Sequence, residues 1–378
     1  MRPVGLICLC FAASLFGLFG LLGGGGARAA NDVRGAGDGL IRIGNDGSFR
    51  IGEWTGRAYF TEIRDNKKLK EKRLDRCAAQ LTNPEGISLI YSLDSHYMWT
   101  FELANPSWNF PKGSAFDVSF GNRDRGFFRQ RVAALEPQLV RVLLADSLNS
   151  FEVFRRLFKL EIVAGGMTTQ FDLTLANPVL VTLTRCVMKF GTTAKSKAAL
   201  AAYLKSPIGP AAEASSDAAI LQETAALAAG IVAEGEIAKA AAAKPDEVPD
   251  GVSGDAVWKV GDNLFTVSVL PQDEVPAEIG DLNDLIVGAG AQRCRGDFFA
   301  GTMLDVVEGA TVARAYTSCQ TQQATTSTYH FAMPRRQGGL YFVKAIATGV
   351  EVPPAVERAL KELDGRIRAA IMLALAKM

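Results

Sequence analysis

From Leu89 onward the chain alternates. Leu89, Tyr91, Leu93, Ser95, Tyr97, Trp99, Phe101 and Leu103 form a largely apolar set, and Ser88, Ile90, Ser92, Asp94, His96, Met98, Thr100 and Glu102 a largely polar one. A period of two is the signature of a strand with one face on a core and the other in water, as in antiparallel sheets. Phe116, Val118 and Phe120 repeat it, as do Phe158, Leu160 and Ile162, and then Phe171, Leu173 and Leu175. The run Leu139 to Leu144 is apolar on both faces apart from Arg141, which predicts a central strand. Ser147 is placed to cap a short helix turning Leu148, Phe151, Phe154 and Leu157 inward. Asn177-Pro178 predicts another helix through Val181 and Thr184 to Cys186, with the asparagine as cap and the proline preset for the first turn.

The pattern changes at Ala194. Through Lys244, 20 of 51 residues are alanine, and Phe, Trp and Cys are missing. Alanine costs least in a helix but buries little, so this stretch reads as a helical linker or a small hairpin packed on a neighbour. Ile220, Leu227 and Ile231 give it a thin apolar seam; Pro207 and Pro210 break it early, and Pro245 to Pro249 end it. Strand periodicity then resumes. Leu264 to Leu270 predicts a strand, Ala277 to Gly288 a helix, and Asp297 to Thr317 a hairpin. Thr325 to Met333 alternates with Tyr329, Phe331 and Met333 inward, the segment Arg335 to Gly339 turns, and Leu340 to Ala347 closes the sheet. After Pro353-Pro354, the residues Val356, Leu360, Leu363, Ile367, Ile371 and Leu375 draw one apolar stripe along a helix. Docking on its own module is the expected use of that stripe; membrane-surface or dimer contact is the alternative.

The expected fold class is therefore α+β and β-rich, with two antiparallel β-sandwich-like modules joined by an Ala-rich helical linker and followed by a C-terminal amphipathic helix. The expected boundaries are 1–30 for a leader, 31–56 for a flexible extension, 57–190 for the first module, 191–250 for the linker, 251–349 for the second module and 350–378 for the last helix.

The leader follows from Arg2, the apolar stretch Val4 to Leu22 and the sequence Ala27-Arg28-Ala29-Ala30, the parts of a secretory signal peptide with cleavage near Ala29-Ala30. An uncleaved anchor competes, since a span needs roughly 17 to 25 apolar residues; the glycines at 23–26 and the Ala27-x-Ala29 site favour cleavage. Export to the periplasm or beyond changes the meaning of the cysteines. Of six in the chain, Cys77, Cys186, Cys294 and Cys319 lie beyond the leader, and an oxidising compartment favours two disulfides. Three pairings are open. Cys77 with Cys186 and Cys294 with Cys319 is preferred because two fall in each half, closing loops with entropic ceilings of about 4.8 and 3.5 kcal/mol. A tight turn at Glu308-Gly309 opposes the second bridge, because it sets Cys319 opposite Phe298, so a bulge or an earlier turn is required.

Charge narrows the function classes. Lys plus Arg total 41 and Asp plus Glu 40, so no broad basic field for nucleic acid is expected. The densest charge is local, from Arg64 to Arg76, with Lys67, Lys68, Lys70, Lys72 and Arg73. It reads as a solvated loop joining two strands or, functionally, as a contact for acidic polymer or lipid headgroups. Trp108, after Asn105-Pro106, is the docking aromatic to mutate first, and Trp54 the second. Asp94-Ser95-His96 holds the three triad residue types, but in a strand Ser95 faces away from the other two, and in a turn all three are ordinary turn formers. His330 shares its face with Thr326, Thr328 and Ala332, a wet sheet surface. The sequence holds no G-x-S-x-G elbow, P-loop or H-E-x-x-H, and Gly35-x-Gly37-x-Gly39 lacks the flanking strand and helix of a dinucleotide site. No cofactor or metal is expected.

Cys77, the alternating strands and the segment Phe171-Asp-Leu-Thr-Leu with Leu183-Thr-Arg-Cys186 make the first module distantly similar to the invasion-associated locus B family of secreted bacterial proteins. The resemblance spans about a third of the chain. It implies an exported, disulfide-stapled β-sandwich domain and carries over no catalytic residue. The Ala-rich insert and the second module depart from it. The function expected is an exported cell-envelope binding or structural protein without catalysis, partnered by an envelope protein or polymer, with peripheral membrane contact as an option. The alternatives are a hydrolase of an envelope polymer, with His96 or His330 as base, and a periplasmic scaffold.

Overall fold

A computed structural model of the chain describes residues 41–65, 68–122, 126–142, 158–164, 166–191, 217–237, 240–249, 252–261, 263–272, 279–307, 309–349 and 354–377. The leader, Gly35 to Gly39 and the helix expected at 147–157 lie outside these residues. The described chain is β-rich, with two antiparallel sheets and four α-helices.

The first sheet uses β1 (Phe49–Ile51), β2 (Trp54–Asp65), β3 (Lys68–Thr82), β4 (Ser88–Asp94), β5 (Trp99–Ala104), β6 (Ala115–Asn122), β7 (Gly126–Glu136), β8 (Leu139–Val142), β9 (Lys159–Ala164) and β10 (Met167–Asp172). Their order is β1-β2-β3-β4-β5-β8-β7-β6-β9-β10. The run that is apolar on both faces is thus a central strand, and its one charge, Arg141, meets buried Glu102 across β5 at 2.8 Å. The sheet begins at Phe49, inside the stretch expected as a free extension. The reason is a close fit: the Phe49 ring lies across Gly56 on β2, in the space that any side chain there would occupy.

Far strands of this sheet come back together. The Asn83 side chain, after β3, donates to Thr169 of β10 at 2.7 Å, and Gly52 abuts Leu175. The sheet therefore curls over its own apolar face, in the manner of a sandwich. The alternation read from Leu89 to Leu103 is one face of β4 and β5 interrupted by a turn at 95–98. Helix α1 (Ala176–Gly191) follows and packs on β2, β3 and β4. Asn177 is not its cap. The helix starts one residue earlier, after a turn in which the Asp172 carboxylate accepts from the Thr174 N–H at 2.8 Å, and the Asn177 Oδ1 is buried without a partner.

The second sheet runs β11 (Ala241–Ala242), β12 (Ala256–Val260), β13 (Asn263–Leu270), β17 (Leu340–Gly349), β16 (Thr325–Pro334), β15 (Ala310–Gln320) and β14 (Asp297–Val307). Its two faces differ. Phe265, Val267, Tyr329, Phe331, Tyr341 and Val343 point to the side of α2 (Ala218–Glu234) and α4 (Pro354–Lys377). The opposite face carries Ala313, Ala315, Ala332, Leu340 and Phe342 under α3 (Ile279–Arg293). The Ala-rich stretch does more than space. Leu227, Ala228 and Ile231 of α2 are fully buried, and Gly230 lies beside Ala374 of α4, so small residues let the two helices approach closely. The helix stops at Gly235, well before the prolines, and Ala241-Ala242 pairs with β12 as a short strand. In α4 the stripe is used in the interior: Ile367, Ile371 and Leu375 are buried.

Residues 41–378 form one compact unit, and a single apolar cluster runs from Trp54 and Phe101 of the first sheet through Leu183 of α1 to Phe299 and Tyr316 of the second. α1 bridges the sheets physically, touching β14 as well as the first sheet.

Candidate functional site

Both expected disulfides are formed. Cys77 of β3 joins Cys186 of α1, with Cα atoms 6.2 Å apart, and both residues are fully buried. Cys294 joins Cys319 of β15 with a Cα separation of 5.5 Å. The opposing argument from register is correct in its premise, since Phe298 does face Cys319 across the ladder. No bulge is needed, because Cys294 lies outside the strand, in the residue after α3, and reaches Cys319 from beside the sheet.

The basic segment is a long antiparallel arm of β2 and β3, not a loop. Lys67 lies outside the described residues, and Lys68 and Lys70 belong to β3. Lys72 stands 3.7 Å from Glu62 and Arg73 3.8 Å from Glu71, so acidic neighbours offset the exposed charge there. Trp108 is not a docking aromatic: it is buried at 9% exposure against Phe110, with ring centroids 5.2 Å apart. Trp54 is buried as well and stacks on Tyr91. Each ring is worth more to the core than to the surface, because a folded-back indole removes a large apolar area from water.

Asp94, Ser95 and His96 form the β4–β5 turn. The Asp94 carboxylate accepts from the backbone N–H of His96 at 2.8 Å and of Met98 at 2.9 Å. Burial raises the Asp94 pKa against those two bonds. Tyr97 takes a left-handed φ of 62°, a costly conformation for a bulky residue, and is held in it by burial of its ring and by the Thr302 N–H on its carbonyl at 2.9 Å. Trp99 donates from Nε1 to the Ala300 carbonyl at 2.7 Å. The turn thus caps the free edge of β14 and ties the two sheets together. His96 reaches Asp284 of α3, Nδ1 to Oδ2 at 3.3 Å, and that hydrogen bond raises its pKa. Ser95 takes no part in the pair, so the triad is not assembled.

His330 is half-buried rather than open to water. Its ring packs on Phe342 with centroids 5.9 Å apart, its Nε2 is 3.3 Å from the Thr317 hydroxyl, and its Nδ1 is buried without a partner. Burial, and then the neighbouring Lys344 charge, pull its pKa down to about 3. Lys344 is its register partner on β17, and Thr266 of β13 is the register partner of Lys344 in turn. Three polar side chains therefore form one row across three strands, on the face that α3 covers in part. Lys344 is only 9% exposed, and among the described residues it has no ion pair and no hydrogen bond. Burial and Arg293, at the end of α3, lower its pKa to about 8. The Thr266 hydroxyl is fully buried and unpartnered.

Sequence reasoning missed Lys344 and Thr266. The signal was available: Leu340-Tyr-Phe-Val-Lys-Ala-Ile-Ala is a run apolar on both faces with a single charge in its centre. Among the described residues no group of three His, Cys, Asp or Glu side chains is placed to hold a metal ion, and no helix is long and apolar enough to cross a membrane. Comparison with protein-family models, with curated proteins and with solved structures gives no match.

Proposed function

We propose that the chain is an exported binding protein of the bacterial cell envelope, freed of its leader near Ala29-Ala30 and acting without chemistry of its own. The carrying observation is that both disulfides join different elements of the fold, a helix to a strand 109 positions earlier in the first case and a helix terminus to a strand 25 positions later in the second. Bonds of this kind persist in oxidising compartments. Purification of the native protein from fractionated cells, with intact mass under non-reducing conditions, tests it. The mature mass with four cysteines oxidised, from the envelope fraction, is expected. A cytosolic protein with its leader intact and its thiols reduced overturns the proposal.

A hydrolase acting on an envelope polymer is the second reading, favoured by the His96–Asp284 pair, a histidine oriented by a carboxylate at the junction of the two sheets. Replacement of His96 and His330 by alanine abolishes polymer hydrolysis under that reading and leaves binding unchanged under the first.

A further inference from the structure

We propose that the row Thr266, Lys344 and His330 is the binding site for a small oxyanionic group, a carboxylate or a phosphate, with Arg293 at its rim. The inference goes beyond the envelope reading and does not depend on where the protein resides.

Three observations converge. First, the row is made of donors whose capacity is unspent. Lys344 has no ion pair and no hydrogen bond among the described residues, only the face of the Phe342 ring 5.5 Å from its Nζ, although it is nine-tenths buried. The Thr266 hydroxyl and the His330 Nδ1 are buried and unpartnered beside it. In the tautomer that carries its proton on Nδ1, the neutral imidazole accepts from the Thr317 hydroxyl at Nε2 and offers Nδ1 as a donor too. Buried polar groups in native proteins are almost always hydrogen-bonded, and buried charges are paired, so two unpartnered buried atoms beside a lysine without an ion pair call for a common complement. An anion with two or more acceptor oxygens is that complement.

Second, the local charge is positive. Arg293, exposed in the last turn of α3, lies close enough to weigh on Lys344. On the other flank the segment 252–255 crosses β13, with Gly254 packed against Thr266. Asp255 in that segment is already engaged, its carboxylate accepting from the Val269 N–H at 3.0 Å. At pH 7 a lysine titrating near 8 is still mostly cationic, whereas His330 is neutral.

Third, the surroundings are built to hold position. The apolar cluster of Leu282, Ile286, Ala289, Ala332 and Phe342 seats α3 on the sheet, and the Cys294–Cys319 bridge fixes the residue next to Arg293 to β15. A site on rigid strands with a pinned rim loses little order on binding.

The test uses the mature, oxidised protein in chloride buffer, titrated calorimetrically with inorganic phosphate and, separately, with acetate. Saturable one-site binding of at least one probe at millimolar concentration is expected. Phosphate alone points to a phosphorylated ligand and acetate alone to a carboxylate ligand; either supports the site. Lys344→Met is expected to weaken binding at least tenfold, and Arg293→Gln, an exposed change that leaves the fold in place, several-fold. The absence of saturable binding for both probes overturns the proposal, as does undiminished binding in both variants. A cytosolic location for the protein would sink the envelope reading and leave this result standing.

Discussion

Two helices lie on two sheets in this molecule, each pinned by a disulfide, and the two contacts are built differently. α1 meets the first sheet through Val179, Leu180, Leu183, Cys186 and Val187, all buried, and its buried threonines satisfy themselves within the helix: Thr182 donates to the Pro178 carbonyl at 2.8 Å and Thr184 to that of Leu180 at 3.2 Å. α3 meets the second sheet through Leu282, Ile286 and Ala289, but beside it stand Lys344, His330 and Thr266 with polar groups left over. The first contact leaves one polar atom over, the Asn177 Oδ1 at the start of α1, and no charged group. In the second, stability is sacrificed along one row, as happens at functional sites.

Removal of the two bridges should separate the contacts most clearly. The Cys77→Ser, Cys186→Ser pair closes the longer loop and is expected to cost up to about 4.8 kcal/mol in denaturant unfolding, against up to about 3.5 for Cys294→Ser with Cys319→Ser. A larger loss from the second pair would break the comparison. Next in size is Lys344→Met, which is expected to stabilise the protein. The folded pKa of about 8 lies below the ordinary 10.5, so protonating this lysine opposes folding. That penalty is complete below pH 8, fades as pH rises from 8 to 10.5 and is gone above 10.5. The variant should therefore gain about 3 kcal/mol at pH 7 and nothing at high pH, in urea titrations at several pH values.

A smaller effect is expected where α2 meets the β16–β17 turn. Arg335 donates to Glu223 at 2.6 Å, and Tyr341 also donates to it. Arg335 holds the Glu223 pKa below its ordinary value, so this stabilisation is present above 4.5 and is lost as pH falls through the depressed value. Glu223→Gln should cost about 2 kcal/mol at pH 7 and flatten the acid limb of the stability profile. The smallest effect is at Asp284→Asn, read by NMR titration of His96. The His96 pKa should fall toward 6.5, since the hydrogen bond that raises it is weakened. Any stabilisation from that contact is present below 6.5 and lost as pH rises through the raised value. Because His96 is largely exposed, the change should stay within about 0.5 kcal/mol.

Much of the fold was legible because it is local. Strands at β6, β13, β16 and β17, the turn at 335–339 and the last helix follow from spacing alone, and the pairing of cysteines followed from their distribution between halves. Errors arose where an isolated segment looks the same in two environments. Trp108 in a Pro-containing loop can face solvent or its own core, and only the position of Phe110 decides. His330 looks like a polar residue on an alternating strand, and its packing on Phe342 makes it half-buried, with Nδ1 out of reach of water.

The candidate site was the least legible part. Thr266, Lys344 and His330 are separated by 78 and 14 positions in the chain, and each alone is unremarkable. They become neighbours because β17 is laid between β13 and β16. Period and composition determine strands, helices and the inward face of each, since those depend on side chains a few residues apart. Which strands adjoin, which face receives a helix, and hence which charge is left without an acceptor, depend on long-range packing that leaves no periodic trace in the chain.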